Sequence, residues 1–298
     1  MATLREVRNR VTGVQKTQKI TRAMKMVAAA KLRRRQAAVM AARPYARRMK
    51  ALLMQLSSAV GESTVDLVTP REVKSIAVVV VTSDRGFCGA FNSNLIKAAI
   101  AHVAAQPDRT TEKNALKLFC IGKKGLDFFT KRSYTVVGRY VGVYTNLVFG
   151  QAQMIAQEIV TGYIRGEFDR VDVVYNEFKS AVQQRIVVEP FLPIPPIVAE
   201  PGGTGTKEPV ADFIFEPARL EILSSLIPRH LNFLIWRVLL ESNAAEEGAR
   251  MAAMENATEN AREMIASLQL QYNKARQAAI TKELLEIVSG AEALSNAG

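Results

Sequence analysis

Acidic residues are nearly absent from the first 60 residues, which hold 15 Lys or Arg and one acid, Glu6. This segment carries a formal net charge of +14, whereas the whole chain carries +12. Helix breakers are scarce too, because Gly13 and Pro44 are its only Gly and Pro, and helix-forming Ala, Met, Leu, Gln and Arg dominate. The sequence therefore predicts one long basic helix and not the disordered tail that such a charge usually marks.

Cysteine and histidine are also rare. Cys88 and Cys120 both adjoin predicted strands, which favours reduced structural thiols in a cytosol-like compartment over a disulfide framework. His102 and His230 lie in apolar helical surroundings, which favours surface or core positions over metal ligation or general-base chemistry.

Long apolar runs are missing. None reaches the roughly 20 residues that span a bilayer, because Arg229, His230 and Arg237 interrupt the best one. The start is Arg-rich and acid-poor, as transit peptides are, but it has no Ser before Ser57 and no cleavage signal. We expect Met1 to be the natural beginning of a soluble bacterial protein.

The long basic helix requires a partner. At about 1.5 Å per residue, residues 1–58 would reach roughly 85 Å and project beyond a compact domain of this mass. A helix gains little stability from propensity alone, so another element must pack along it.

The C-terminal stretch, residues 217–294, supplies that partner. Its second half places small or apolar residues at alternating steps of three and four: Met251, Met254, Thr258, Ala261, Ile265, Leu268, Tyr272, Ala275 and Ala279. The N-terminal helix matches them, with one slip of phase, through Leu4, Val7, Val11, Val14, Thr17, Ile20, Met24 and Val27. The pattern predicts an antiparallel coiled coil. The alternative, two amphipathic helices on a domain surface, is disfavoured because residues 70–192 offer too little surface for both.

The predicted seam is made largely of small residues. Thr258, Ala261, Ala275 and Ala279 would let the backbones approach closely and leave a thin rod with much of its side-chain surface facing outward. The helix propensity of Ala offers an alternative reason for its presence.

The middle of the chain has a different pattern. Residues 75–82 (SIAVVVVT) form a continuous β-branched run typical of a strand buried on both faces. Further strands are predicted at 114–121, 135–141, 171–178 and 185–191, and helices at 93–105, 125–131 and 146–165. This alternation indicates a Rossmann-like α/β domain with mainly parallel strands.

The predicted fold class is therefore α/β, with a long antiparallel coiled coil of the two terminal helices and an α/β domain inserted between them. The predicted division is an N-terminal helix at 1–60, an α/β domain at 70–192, a mobile Pro- and Gly-rich loop at 193–212 and a C-terminal helix at 213–298 that pairs with the first.

Catalytic signatures are absent from the sequence. The turn at 83–89 follows a strand, but it lacks both the dinucleotide fingerprint and the P-loop Lys-Ser/Thr. Residues 202–207 (GGTGTK) lie between prolines, and no Ser or Thr follows the Lys. Asp84 and Arg85 are expected to organise the turn. We predict no catalytic residue, no cofactor and no metal site.

Three blocks of sequence resemble the gamma chain family of F-type ATP synthases. They are residues 4–10 (LREVRNR) with 17–31 (TQKITRAMKMVAAAK), residues 83–92 (SDRGFCGAFN), and residues 254–261 (MENATENA) with 273–284 (NKARQAAITKEL) and 286–291 (EIVSGA). The blocks span the chain in the family's order and spacing.

This resemblance implies a central rotor stalk. The coiled coil would turn inside a ring of alpha and beta subunits, and the α/β domain would touch the epsilon subunit and the membrane-embedded c-ring. Proton flow would drive the rotation and ATP would form on the beta subunits, so this chain would carry no catalytic residue. It would be peripheral, at the cytoplasmic face of the bacterial plasma membrane.

The resemblance also implies a set of subunit-contact residues. Arg276, Gln277, Thr281 and Glu283 would meet loops of the catalytic ring. Met24 and Lys25 would lie near them on the opposing helix, and Arg33, Arg34 and Arg35 would face acidic surfaces of the beta subunits. Many family members carry an acid at the position of Lys25, so an ion pair based on that acid does not transfer to this chain. The thiol-switch loop of some photosynthetic members is also missing.

A second function is compatible with the basic helix. An arm of charge +14 suits phosphate contacts and counterion release, as in a nucleic-acid-binding protein. The basic region has only one aromatic residue, Tyr45, and no groove-reading motif, and its charges surround the helix, so binding to nucleic acid is disfavoured. A membrane-surface helix is also disfavoured, because no broad apolar face accompanies the charge.

Overall fold

The structure is a computed structural model that describes residues 4–57, 67–69, 71–105, 116–180, 183–195, 216 and 218–295. Within these ranges, five helices and five strands follow one another as α1 (Leu4–Ser57), β1 (Ile76–Val81), α2 (Phe91–Ala104), β2 (Leu116–Ile121), α3 (Lys123–Thr130), β3 (Val136–Tyr140), α4 (Phe149–Ile164), β4 (Arg170–Phe178), β5 (Gln184–Leu192) and α5 (Arg219–Ser295). Residues 196–212, most of the predicted mobile loop, lie outside the described residues.

The strands form one sheet in the order β3-β2-β1-β4-β5. β1 runs parallel to β2 and β4, β2 runs parallel to β3, and β5 returns antiparallel to β4. All six residues of β1 are buried, as its β-branched run predicts. The α/β fold class and the order of strands and helices are therefore confirmed.

Helices cover both faces of the sheet. One face packs against α2 and α3 around Leu95, Ile96 and Phe129. The other face packs against α4 and against parts of both long helices. The buried residues that these three helices contribute include Tyr163 of α4, Leu53 of α1, and Leu231, Ile235 and Leu239 of α5. The central strand β1 is therefore shielded from solvent on both of its faces.

The chain divides into two compact units, Met1–Ala28 with Met251–Gly298, and Ala29–Arg250. In the first unit α1 and α5 pair antiparallel, because Thr21 bonds Thr258 and Lys25 pairs with Glu255. Every predicted seam residue of α5 from Met251 to Ala279 is buried or half-buried. The antiparallel pairing of the terminal helices is confirmed, and the four-part division of the chain stays a prediction.

The predicted slip of phase in α1 is wrong. Ile20 and Val27 are 60% and 55% exposed, and Thr17 is exposed as well. The spacing continues without a slip through Gln18, Thr21 and Ala28, which are buried or half-buried. The prediction followed apolar character, whereas the spacing puts the polar Thr21 on the seam, where its hydroxyl contacts that of Thr258.

Each of the two long helices contains a proline. α1 runs through Pro44 and α5 through Pro228 without ending. Among the described helices, none combines the length and the apolar character needed to cross a membrane.

Two glycines with positive φ sit in contrasting surroundings. Gly122, which follows β2, has φ of +92°, and a Cβ there would lie 2.2 Å from the carbonyl oxygen of Thr82. Gly142, which follows β3, has φ of +81°, but no described atom lies within 4 Å of its Cβ position. Of these two glycines, Gly122 alone combines backbone strain with a clash.

We expect Gly142→Ala to lower the free energy of unfolding by about 1–2 kcal/mol through strain alone. Gly122→Ala adds overpacking, so the loss should reach roughly 3–4 kcal/mol. Urea unfolding of the two variants and the wild type measures the difference. Equal losses would show that the close approach of Gly122 to Thr82 is relaxed at little cost.

Candidate functional site

The carboxyl end of β1 is where an open α/β sheet of this order would bind a ligand. β1 has β2 on one side and β4 on the other, so the chain order reverses at this strand, and ligands of such sheets bind outside the carboxyl ends at the reversal. The turn at 83–92, one of the three blocks noted in the sequence, begins there.

Hydrogen bonds hold this turn in one conformation. The Asp84 carboxylate accepts from the backbone N–H groups of Lys123 and Gly142, both at 3.0 Å, and so ties the loops after β1, β2 and β3 together. The Asn92 amide donates to Ser83 Oγ at 2.8 Å and accepts from the Ser83 N–H at 2.9 Å. Asp84 therefore organises the turn, as the sequence predicts.

A segment of α5 fills the space beside this turn. Ser242 Oγ lies 3.5 Å from the carbonyl oxygen of Val81, the last residue of β1. Ala245 and Ala249 form one buried cluster with Cys88 and Phe91 of the turn. The place where related sheets bind a ligand is thus taken by the chain's own helix.

All nine residues of this α5 segment, 242–250, are buried, although five of them are polar or charged. Arg250 pairs with Glu246 and, at 3.0 Å, with Glu247, and Lys31 of α1 lies 3.7 Å from Glu247. Burial raises the pKa of Glu246, and the Arg250 guanidinium opposes that rise. The two carboxylates and two cations balance, which reduces the cost of burying them.

The two thiols are free and buried. Burial raises the pKa of Cys120 to about 12, and burial also raises the pKa of Cys88. A thiol with a raised pKa is a poor nucleophile. Within the described part of the chain, no cluster of three or more His, Cys, Asp or Glu residues is arranged to hold a metal ion.

The predicted contact residues of α1 differ in exposure. Met24 and Lys25 are half-buried, Arg33 and Arg34 are exposed, and Arg35 is half-buried. Consecutive helix residues point about 100° apart, so the three arginines do not share one face.

The contact residues of the two helices are not brought together. Lys25 lies opposite Glu255, which precedes Arg276 by 21 positions on α5. That offset corresponds to roughly 30 Å along the helix axis. The expectation that Met24 and Lys25 lie near the Arg276 group is therefore wrong, because the pairing places them opposite an earlier part of α5.

The predicted contact residues of α5 all face solvent. Arg276, Gln277, Thr281 and Glu283 are exposed, while Ala275 and Ala279 beside them are half-buried. Thr281 donates its hydroxyl to the carbonyl oxygen of Gln277 at 2.9 Å. The phase predicted for this part of the helix is confirmed, whereas the role of these residues stays a prediction.

The end of α5 also exposes apolar side chains. Five large residues are between 49% and 68% exposed: Ile280, Leu284, Leu285, Ile287 and Val288. Soluble monomers rarely expose a contiguous apolar patch of this kind unless a partner covers it.

The sequence reasoning missed the buried charges at Glu246, Glu247 and Arg250. A signal was present, because residues 242–250 have helical composition but no division into an apolar and a polar face. Such a segment is stable only if its polar groups find partners inside the protein.

We expect Asp84→Ala to lower the free energy of unfolding by about 1–2 kcal/mol, because two backbone donors lose their acceptor. Asp84→Asn keeps an oxygen acceptor at the same place and should cost less than about 1 kcal/mol. Urea unfolding compares the two variants. If Asn is as damaging as Ala, the carboxylate charge matters more than the hydrogen bonds described here.

Comparison with known proteins gives a consistent match. The ATP synthase family model matches residues 3–294. The ATP synthase gamma chain of Chloroherpeton thalassium is 49% identical over 300 residues, and that of Chlorobium phaeobacteroides is 50% identical over 295 residues; each alignment covers 99% of both chains.

Solved structures share the fold. A chain of the Euglena gracilis mitochondrial ATP synthase, in the OSCP/F1/c-ring assembly, superimposes with a TM-score of 0.68 at 20% identity and covers 98% of this chain and 94% of its own. A chain from the central stalk and c-ring of the Tetrahymena thermophila mitochondrial ATP synthase superimposes with a TM-score of 0.60 at 25% identity. The match covers 80% of this chain and 99% of that chain. With half of its residues identical to gamma chains over nearly its full length, the chain belongs to the ATP synthase gamma chain family.

Proposed function

We propose that this chain is the central rotor stalk of an F-type ATP synthase. It would couple proton-driven rotation of a c-ring to ATP synthesis on a ring of alpha and beta subunits. Family membership supports this proposal, and the alternative of a nucleic-acid-binding arm finds no support among the relatives.

The exposed apolar end of α5 is the observation that carries the proposal. Leu285 and Ile287 are more than 60% exposed, and no residue from 280 to 291 is even half-buried. Burying a side chain of this size is worth about 1.5–3 kcal/mol, so this end gains stability when another protein surrounds it. The apolar side chains of this end make no directional bonds, so they can slide past an enclosing ring as the chain turns.

The chain would act without chemistry of its own. The helix segment 242–250 occupies the ligand position of the sheet, and the two thiols are buried with raised pKa values. Nucleotide would bind and react on the beta subunits, while this chain imposes different conformations on the three catalytic sites as it turns.

The partners would be the alpha and beta subunits around the shaft, and the epsilon subunit and c-ring at the α/β domain. The complex would hold the chain at the cytoplasmic face of the bacterial plasma membrane. We assign the ring contacts to Met24, Arg33, Arg34, Arg35, Arg276, Gln277, Thr281 and Glu283. Lys25 is left out of this set because its ammonium already pairs with Glu255.

The purified chain should hydrolyse no ATP. Added to alpha and beta subunits, it should form a complex that hydrolyses ATP, and epsilon and c-ring should then couple hydrolysis to proton transport in vesicles. The measurements are phosphate release and vesicle acidification. Phosphate release by the isolated chain, or binding to nucleic acid in place of assembly, would contradict the proposal.

Arg276→Ala should leave the helix folded, because Arg276 is exposed and Ala favours helix. It should lower the ATPase rate of the assembled complex by about tenfold, equivalent to about 1.4 kcal/mol, because a planar guanidinium contact is lost. Arg276→Lys should restore only part of the rate, because an ammonium cannot make the same paired hydrogen bonds.

Lys274→Ala is the matched control, since Lys274 is exposed on the same helix but points to another side. It should leave the rate near that of the wild type. Equal rates for Arg276→Ala and wild type would remove Arg276 from the contact set.

A further inference from the structure

Two polar contacts cross the helix pair of the first unit within one helical turn. Thr21 Oγ1 lies 2.8 Å from Thr258 Oγ1, and Lys25 pairs with Glu255. We call these four residues the polar layer. Thr21 is buried, whereas Lys25 and Glu255 have 37% and 56% of their side chains exposed, so a hydrogen bond lies inside the seam and an ion pair closes its edge.

The contact between the two hydroxyls adds to hydrogen bonds that each can form within its own helix. Thr258 Oγ1 lies 2.7 Å from the carbonyl oxygen of Met254, and Thr21 Oγ1 lies 3.1 Å from that of Gln18. Two hydroxyl hydrogens serve three short contacts, so one hydroxyl donates to its own helix while the other donates across.

Ala28, Ala261, Ala275 and Ala279 make the seam thin, and larger residues such as Leu268 and Tyr272 lie between them, so these positions distinguish one alignment from another by size. In coiled coils, polar residues on the seam select one alignment at some cost in stability. The polar layer adds directional contacts to this seam, and they form in one alignment.

Shifted alignments are penalised at both contacts. Moving α5 by seven residues brings Thr21 opposite Ile265 or Met251, where its hydroxyl would face an apolar side chain. The shift toward Ile265 also brings Lys25 opposite Arg262, a like charge. The loss of the hydrogen bond across the pair and the gain of a repulsive pair therefore work against the wrong alignments.

We propose that the polar layer aligns α1 with α5, and that Lys25 acts within it through Glu255 and not as a contact to another subunit. The second part rests on the proposed function, because it concerns which residues meet the ring. Lys25 is thus a positioning residue, which keeps its neighbour Met24 at a fixed place on the shaft.

A charge exchange separates the two roles of Lys25. Lys25→Glu and Glu255→Lys each place like charges opposite one another. Each should lower the folding equilibrium constant of the full-length chain by about two- to fivefold, which is the range for exposed ion pairs. The double variant restores opposite charges and should return to within about twofold of the wild type. High salt should shrink these differences, because exposed charges are screened.

The wild type, the two single variants and the double variant are then each assembled with alpha and beta subunits, and the yield of the complex and its ATPase rate are measured. Recovery by the double variant supports the positioning role. If the double variant stays as impaired as Lys25→Glu, Lys25 meets an acidic partner outside the chain and the proposal is overturned. The proposed function fails separately, because in that case the wild-type chain itself does not assemble.

Disulfide formation between a cysteine on α1 and a cysteine on α5 reports the alignment of the two helices directly. The offset of the polar layer places Val11 opposite Leu268, and both are half-buried. Val11→Cys with Leu268→Cys should form a disulfide in the wild-type and double-exchange backgrounds, and less of it in each single reversal. Equal yields in all four backgrounds would show that the ion pair does not control alignment.

Lys282→Glu is the matched control for charge reversal. Lys282 pairs at 3.6 Å with Glu286 on the same helix, so its reversal removes an exposed ion pair without touching the cross-helix layer or the charge that faces Lys25 in a shifted alignment. The Val11–Leu268 disulfide should form in this variant as in the wild type. A loss as large as that of Lys25→Glu would mean that any charge change on the shaft disturbs the pair, which would overturn the assignment to the polar layer.

Discussion

The structure depends on one constraint, that a helix of more than 50 residues is stable in water only when another element packs along it. α1 meets this constraint with an unbroken alternation of three- and four-residue steps, from Leu4 through Thr21 and Ala28 to Leu32 and beyond. Its basic surface can then remain exposed, because its stability comes from the buried stripe. The positive charge of the first 60 residues, which is typical of a disordered tail, lies instead on the exposed surface of one helix of a pair.

The same constraint explains the α/β domain. Its strand order creates a ligand position at the carboxyl end of β1, yet α5 occupies that position with small residues and with buried charges that pair with one another. A fold that binds nucleotides in other proteins is used here to hold a helix. Buried ion pairs contribute little net stability, but they penalise any arrangement in which a partner is lost.

The sequence predicts the elements well because the patterns are strong. The continuous β-branched run before Thr82 indicates a strand buried on both faces, and β1 is buried throughout. The alternating steps of three and four from Met251 to Ala279 indicate one face of a helix, and these residues are buried or half-buried. The slip at Ile20 was wrong because apolar character was weighted above spacing, and a seam of small and polar residues does not reveal itself by hydropathy. Glu246 and Arg250 were missed for a related reason, since their spacing is that of an ordinary exposed helical ion pair and only tertiary packing buries it. The contact roles of Arg276 and Gln277 depend on other chains, which neither sequence nor fold contains.

The central claim is that this chain turns inside a catalytic ring. Lys131 is exposed at the end of α3, whereas Cys88 and Cys120 are buried, so Lys131→Cys gives one reactive thiol on the α/β domain for attaching a visible probe. The ring of alpha and beta subunits is fixed to a surface and ATP is added. The account predicts that the probe rotates in one direction for as long as ATP is hydrolysed. A complex that hydrolyses ATP while the probe stays still would contradict it.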